Sequence, residues 1–188
     1  MPWSIRFSTA SPDEDYQFDL RTETDWLYRE KTGYKQQLYI IGGGHCALAL
    51  STIMKEMDFY IRLYEERAGL HTLLQNEQAH EKILVDDYST LKDLVPSGPS
   101  VYVVIMTVGF RTDDLVLHAL RGKQCRYLGL LGSKSKIEKM FTGLSNEGFT
   151  PDELEKIHAP AGLDIKSETP EEIAVSIAAE IIRVKNKR

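Results

Sequence analysis

The sequence holds little of what marks several protein classes. Its two cysteines, Cys46 and Cys125, are too few for a disulfide framework. No CxxC pair or Cys/His cluster offers metal-ligand spacing, so no metal site is expected. No run of about 18 apolar residues occurs, which excludes a transmembrane helix and a membrane role of that kind. The opening Met1-Pro2-Trp3-Ser4-Ile5-Arg6 lacks the basic-then-apolar layout of a secretory signal, so a cytoplasmic location is expected. Basic residues number 23 against 28 acidic ones. The net charge of -5 argues against nucleic acid as partner, because phosphate neutralisation needs a basic face. Internal repeats and low-complexity stretches are also missing. What remains, 188 residues with 42% hydrophobic and 27% charged, suits one soluble α/β domain with a single core.

What is present is an alternation of strand and helix signals from residue 37 onward. Leu38-Tyr39-Ile40-Ile41 is a short apolar run closed by three glycines and reads as a buried strand. Leu48, Leu50, Ile53, Met54 and Met57 form the stripe of a helix over 45–57. Phe59, Ile61 and Leu63 then alternate with Tyr60, Arg62 and Tyr64, as in a strand with one dry face. A helix is expected over 68–79, a strand over 82–85, a turn at Pro96-Ser97-Gly98-Pro99 and a strand over 101–106. A helix over 113–120 and a strand over 126–130 follow. Ser133 is placed to cap a helix that buries Ile137, Met140, Phe141 and Leu144. Leu163-Asp164-Ile165 reads as a short last strand, and Thr169-Pro170-Glu171-Glu172 is a capping box opening a final helix striped by Ile173, Ile177, Ile181 and Val184. This order predicts an α/β, Rossmann-like doubly wound fold over residues 37–188, its sheet mainly parallel with helices on both faces. Residues 1–36 stand apart as an N-terminal arm, extended or partly ordered, with Trp3, Trp26 and the acidic run Asp13-Glu14-Asp15. The arm either docks on a partner or a second copy of the chain, or packs along its own domain.

Gly42-Gly43-Gly44-His45-Cys46-Ala47 matches G-x-G-x-x-A between a strand and a helix, the context in which the motif binds dinucleotides. Gly42 permits the tight turn, Gly44 lets the backbone approach a pyrophosphate, and Ala47 allows close helix–strand packing. The N–H groups of the first helical turn then face the phosphates. Glu65 closes the next strand, at the position of a ribose-binding carboxylate, which favours NAD over NADP; Arg67 blurs that preference because it can pair with a 2′-phosphate. His45 and Cys46 sit in the first helical turn, where a thiol's pKa tends to fall and burial raises it.

Two other strand ends carry candidates. Thr107 closes the strand beside the nucleotide and either bonds a ligand or simply ends the strand. Gly132, Ser133 and Lys134 make a second anion site or a plain helix cap. His158 precedes a Pro/Gly loop, and a loop histidine without a partner is usually structural. No Ser/His/Asp order and no paired carboxylates appear, so no catalytic residue is named.

Three segments together resemble the XdhC/CoxI family of accessory proteins for molybdenum hydroxylases. They are Ile40-Ile41-Gly42-Gly43-Gly44-His45, then Tyr127-Leu128-Gly129-Leu130-Leu131-Gly132-Ser133-Lys134, then His158-Ala159-Pro160-Ala161-Gly162-Leu163-Asp164-Ile165 leading into Glu168-Thr169-Pro170-Glu171-Glu172-Ile173-Ala174. The resemblance covers residues 37–185 and implies the family's C-terminal Rossmann domain. It further implies a protein that assists molybdenum-cofactor sulfuration or insertion into a hydroxylase such as xanthine dehydrogenase, and it alone brings in molybdenum cofactor as a ligand beside the NAD or NADP expected from the glycine motif. A homodimer is expected. Many family members end the fourth strand with Met-Thr-His-Asp-His, where this chain has Met106-Thr107-Val108-Gly109-Phe110. The alternatives are a small NAD-dependent oxidoreductase using His45 or residues near Thr107 and Ser133, and a nucleotide-sensing interaction module.

Overall fold

A computed structural model describes residues 16–20, 22, 24–30 and 33–187. Trp3 and the acidic run of the arm lie outside the described residues. The chain divides into two compact units between Tyr34 and Lys35. In the first, β1 (Tyr16–Leu20) and β2 (Trp26–Glu30) form an antiparallel hairpin. Phe18 lies opposite Tyr28 and Leu20 opposite Trp26, cross-strand pairs of the kind that hold a two-stranded ribbon. At its turn the Thr22 hydroxyl accepts from the Thr24 and Asp25 N–H groups.

The second unit is the expected Rossmann-like layer structure. Five parallel strands, β3 (Gln36–Ile41), β4 (Phe59–Glu65), β5 (Glu81–Leu84), β6 (Gly98–Ile105) and β7 (Cys125–Leu130), lie in the order β5-β4-β3-β6-β7. The connecting helices are α1 (His45–Lys55), α2 (His71–Gln75), α3 (Leu91–Leu94), α4 (Phe110–Ala119), α5 (Lys134–Asn146), α6 (Pro151–Glu155) and α7 (Pro170–Lys185). Side chains of alternate hand split the apolar strands between two cores. Tyr39, Ile41, Val103 and Ile105 pack with Val116 and Leu117 of α4 and with Ile137 and Met140 of α5. Leu38, Ile40, Phe59, Leu63 and Val104 pack on the other face with Leu50 and Met54 of α1 and with Ile177 and Ile181 of α7. Both capping boxes, Thr150 with Glu153 and Thr169 with Glu172, are formed, and each has proline in the first turn. No helix among the described residues is long and apolar enough to cross a membrane.

Two expected elements are replaced. Over 68–79 only α2 is helical, because buried Asn76 turns its side chain to the Gln78 and Ala79 N–H groups and to the Ser51 hydroxyl, ending the helix. Leu163-Asp164-Ile165 is not a strand. Gly162 takes φ +102° and the Leu163 N–H turns to the Ser176 carbonyl of α7. The backbone that does extend the sheet edge is His158, bridged in parallel to Gly129.

The order of strands reverses between β3 and β6. Their carboxyl ends flank the crevice in which open α/β sheets hold ligands, and the Gly42-Gly43-Gly44 bend and Thr107 stand at that point.

Candidate functional site

Each glycine of the bend has a separate task. Gly42 has φ +103°, and a Cβ there would lie 2.5 Å from the Met106 carbonyl oxygen and 2.9 Å from the Thr107 Cα. The turn therefore leans on the end of β6, which only glycine permits. Gly43 is held by protein on both sides: its N–H donates to Glu65 Oε2 at 2.8 Å and its carbonyl accepts from the Thr72 hydroxyl at 2.5 Å. Gly43 is thus a fixed point of the bend and does not offer its own N–H to a ligand. Gly44 differs from both. It has ordinary extended φ, and a Cβ on it would meet nothing within 4 Å.

Gly44 is also the N-cap of α1, with no side chain capping the helix and no acid in its first turn. The first bond along the helix runs from the Leu48 N–H to the Gly44 carbonyl, so the His45, Cys46 and Ala47 N–H groups precede the ladder. An open, side-chain-free approach to an uncapped positive helix end fits a diphosphate. Ala47 is fully buried against the sheet, as its place in the motif requires. His45 is exposed and lines, with Leu48, Ile53, Glu171 and Val175, a groove of about 340 Å³ between α1 and α7. Burial pushes the Cys46 thiol up, and the Glu171 carboxylate adds to the rise, so helix-end activation of this thiol is not what the site provides.

Glu65 stands where the sequence places it, at the end of β4, but it does not face the crevice as a free acceptor. It is 1% exposed. Its Oε2 accepts from Gly43 and from Arg67 Nη2 at 2.8 Å, and its Oε1 accepts from the Glu66 and Arg67 N–H groups and from Arg67 Nε at 2.9–3.1 Å. Burial alone would raise its pKa. The Arg67 fork and these backbone donors outweigh burial and hold the carboxyl at about 2.

Thr107 belongs to a cluster that the sequence does not announce. Its hydroxyl donates to Asp113 Oδ1 at 2.5 Å and lies 2.6 Å from the Thr112 hydroxyl, while the Lys136 ammonium pairs with Asp113 Oδ2. Asp113 is completely buried, and that burial raises its pKa against the pull of Lys136 and Thr107. Beside it, Ser133 caps α5 by accepting from the Lys136 N–H, and Lys134 is exposed. The lysine drawn inward is Lys136. A Cβ on Gly132 would come within 3.1 Å of its Cδ, so Gly132 leaves room for that side chain.

A second buried acid fixes the loop at 158–162. Glu180 of α7 accepts from the Tyr127 hydroxyl and the Gly162 N–H at 2.8 Å, pairs with Arg183, and lies 3.3 Å from His158 Nδ1. Burial opposes its charge, and the Gly162 and Tyr127 donors with His158 prevail and lower its pKa. The His158 ring rests 4.6 Å from that of Tyr127. The loop histidine therefore has partners, and they tie the loop to α7.

With this geometry in view, the likenesses to other proteins are specific. The chain matches the XdhC Rossmann domain over residues 38–181, from β3 into α7. It is 29% identical over 157 residues to the uncharacterised protein YqeB of Escherichia coli (strain K12), covering 82% of this chain and 28% of that protein. It is 24% identical over 165 residues to a probable xanthine dehydrogenase component of Bacillus subtilis (strain 168), covering 88% of this chain and 48% of that one. The crystal structure of a xanthine dehydrogenase from Bacillus halodurans superposes with a TM-score of 0.71 at 29% identity, over 87% of this chain and 46% of that one. The chain thus spans less than half the length of each of these relatives. Matched from the first strand of the sheet to its last helix, the chain belongs to the XdhC Rossmann-domain family.

Proposed function

We propose that this chain binds an NAD(P)-type dinucleotide and serves as the nucleotide-binding module of an accessory protein for a xanthine-dehydrogenase-type enzyme. The observation that carries the reading is the open side of Gly44 at the uncapped start of α1, at the point where strand order reverses. Gly42 sets the turn, Gly43 is clamped, and Ala47 brings the helix close to the sheet. The raised pKa of Cys46 supports binding over nucleophilic chemistry at this helix end. Family membership and relatives named for xanthine dehydrogenase support a partner of that class, and with it a part in sulfuration or insertion of the molybdenum cofactor. Of the two groups, a dinucleotide diphosphate is the one the bend fits; no residue is assigned to the molybdenum cofactor.

Calorimetric titration with NAD(H) and NADP(H) tests the reading. Wild type is expected to bind in the micromolar range, and Gly44→Val to lose at least about tenfold, because its branched side chain occupies the diphosphate's place. A Cβ at Gly44 meets no protein atom within 4 Å, so the variant should fold, with its urea midpoint lowered only by the loss of glycine at the N-cap. Equal heats for the two proteins would remove the site. Co-expression with a xanthine-dehydrogenase-type enzyme tests the second half: co-purification of the two is expected, and separate elution contradicts the accessory role.

A further inference from the structure

We infer that the dinucleotide taken here carries a phosphate on its adenosine ribose, NADP(H) in preference to NAD(H), and that Arg67 selects it. This rests on the dinucleotide reading of the Gly42-Gly43-Gly44 bend. In a sheet of this order, the adenosine ribose meets the end of the strand next to the first, which is β4. A free carboxylate there would accept two ribose hydroxyls and repel a phosphate. Glu65 is not free. An ionised carboxylate offers about four lone-pair sites, and Glu65 receives Gly43, Glu66, the Arg67 backbone and two arms of the Arg67 fork, with the Tyr88 hydroxyl at 3.4 Å besides. To bond a ribose it would have to release the glycine turn that positions the diphosphate. Its charge is already met by a guanidinium 2.8 Å away, so it repels a phosphate less than a free carboxylate would.

What the end of β4 presents outward is Arg67. Its side chain is 46% exposed and spends Nε and one Nη2 hydrogen on Glu65. A guanidinium carries five N–H donors, so three remain, and among the described residues no further acceptor meets them. The Glu65 contact fixes one edge of the plane, which leaves the other edge oriented before any ligand arrives. Glu66, the other acid on this turn, has its Oε1 on the Tyr88 N–H at 3.1 Å. An oriented, permanently charged fork with free donors is suited to a phosphate.

The test titrates the chain with NADPH and NADH, and with 2′,5′-ADP, 3′,5′-ADP and 5′-AMP. NADPH and 2′,5′-ADP are expected to bind at least about tenfold tighter than NADH and 5′-AMP, and 2′,5′-ADP tighter than 3′,5′-ADP. Arg67→Gln should reduce the NADPH preference to near parity. If that variant fails to fold because Glu65 loses its partner, Arg67→Lys keeps a cation over Glu65 without the fork and should still lower the preference several-fold. NADH binding as well as NADPH, equal affinity for the two bisphosphates, or an undiminished preference in the folded Arg67 variant overturns the inference and leaves the dinucleotide site standing. Failure of every probe to bind wild type overturns both.

Discussion

Lys136→Met is expected to cost about 3–5 kcal/mol of folding stability, because it strands a buried carboxylate. Asp113 is fully buried, and without Lys136 its described partner is the Thr107 hydroxyl, a neutral donor. The reverse change is milder. The Lys136 side chain is 25% exposed and can turn its ammonium to water, so Asp113→Asn should cost about 1–2 kcal/mol. The double variant should then be more stable than Lys136→Met alone, which a double-mutant cycle in urea reads directly. A pH series adds a sign. Burial already raises the Asp113 pKa above 3.8, and removing Lys136 raises it further. A carboxyl that holds its proton more tightly folded than unfolded favours the native state at low pH and loses that contribution as pH rises through the folded value. The deficit of Lys136→Met should therefore be smallest in acid and grow above pH 3.8. A loss under about 1 kcal/mol at neutral pH would show that the pair is not holding this corner.

That corner matters to the cleft. The Gly42 turn leans on Met106 and Thr107, and the cluster ties Thr107 to α4 and α5 at once. Val108 and Phe110 follow as exposed apolar residues. The groups that anchor the end of β6 are thus Thr107, Asp113 and Lys136, and the residues between them are free of that duty.

The fold was legible because its signals are local and long. The strand at Leu38-Tyr39-Ile40-Ile41 is apolar on both faces because both faces are covered, and the Thr169 capping box is written in four consecutive residues. The hairpin of residues 16–30 was not legible. Alternation over five residues, Tyr16 to Leu20, becomes a strand only through pairing with a second short run, and the sequence does not show which runs pair. The truncated α2 turned on the buried side chain of Asn76, whose preference for its own backbone is invisible until Ser51 of α1 fixes it. At the site, the positions of Gly42, Gly44, Ala47 and Glu65 followed from spacing. The state of Glu65 did not, since its donors come from the bend, its own turn and Tyr88, up to 23 residues apart. Asp113, Lys136 and Glu180 were missed for the same reason: each acts through partners on another element, and none has a sequence pattern of its own. A charged residue on the apolar stripe of a helix, as Glu180 is on that of α7, was the one signal that could have found them.

Glu65→Gln is the sharper test of how the bend is held, and its pH behaviour differs from that of Lys136→Met. The Glu65 carboxyl is lowered from the ordinary 4.5 to about 2, a shift worth about 3 kcal/mol by linkage. A carboxyl with a depressed folded pKa contributes stability that is present above its unfolded value and lost as pH falls through the folded one. The difference between wild type and Glu65→Gln should therefore be full above pH 4.5 and disappear between there and pH 2. Other carboxylates titrate across the same range in both proteins and cancel in the difference. The amide also turns donors toward the Gly43 and Arg67 donors, so Glu65→Gln should weaken NADPH binding even where the protein is folded. The two carboxylates therefore separate on one axis, the Asp113 deficit developing above its ordinary value and the Glu65 contribution fading below its own. A stability difference for Glu65→Gln that stays constant from about pH 6 to pH 2 would mean that Arg67 and Gly43 do not hold this carboxylate ionised, and the brace beneath the glycine bend would have to be sought elsewhere.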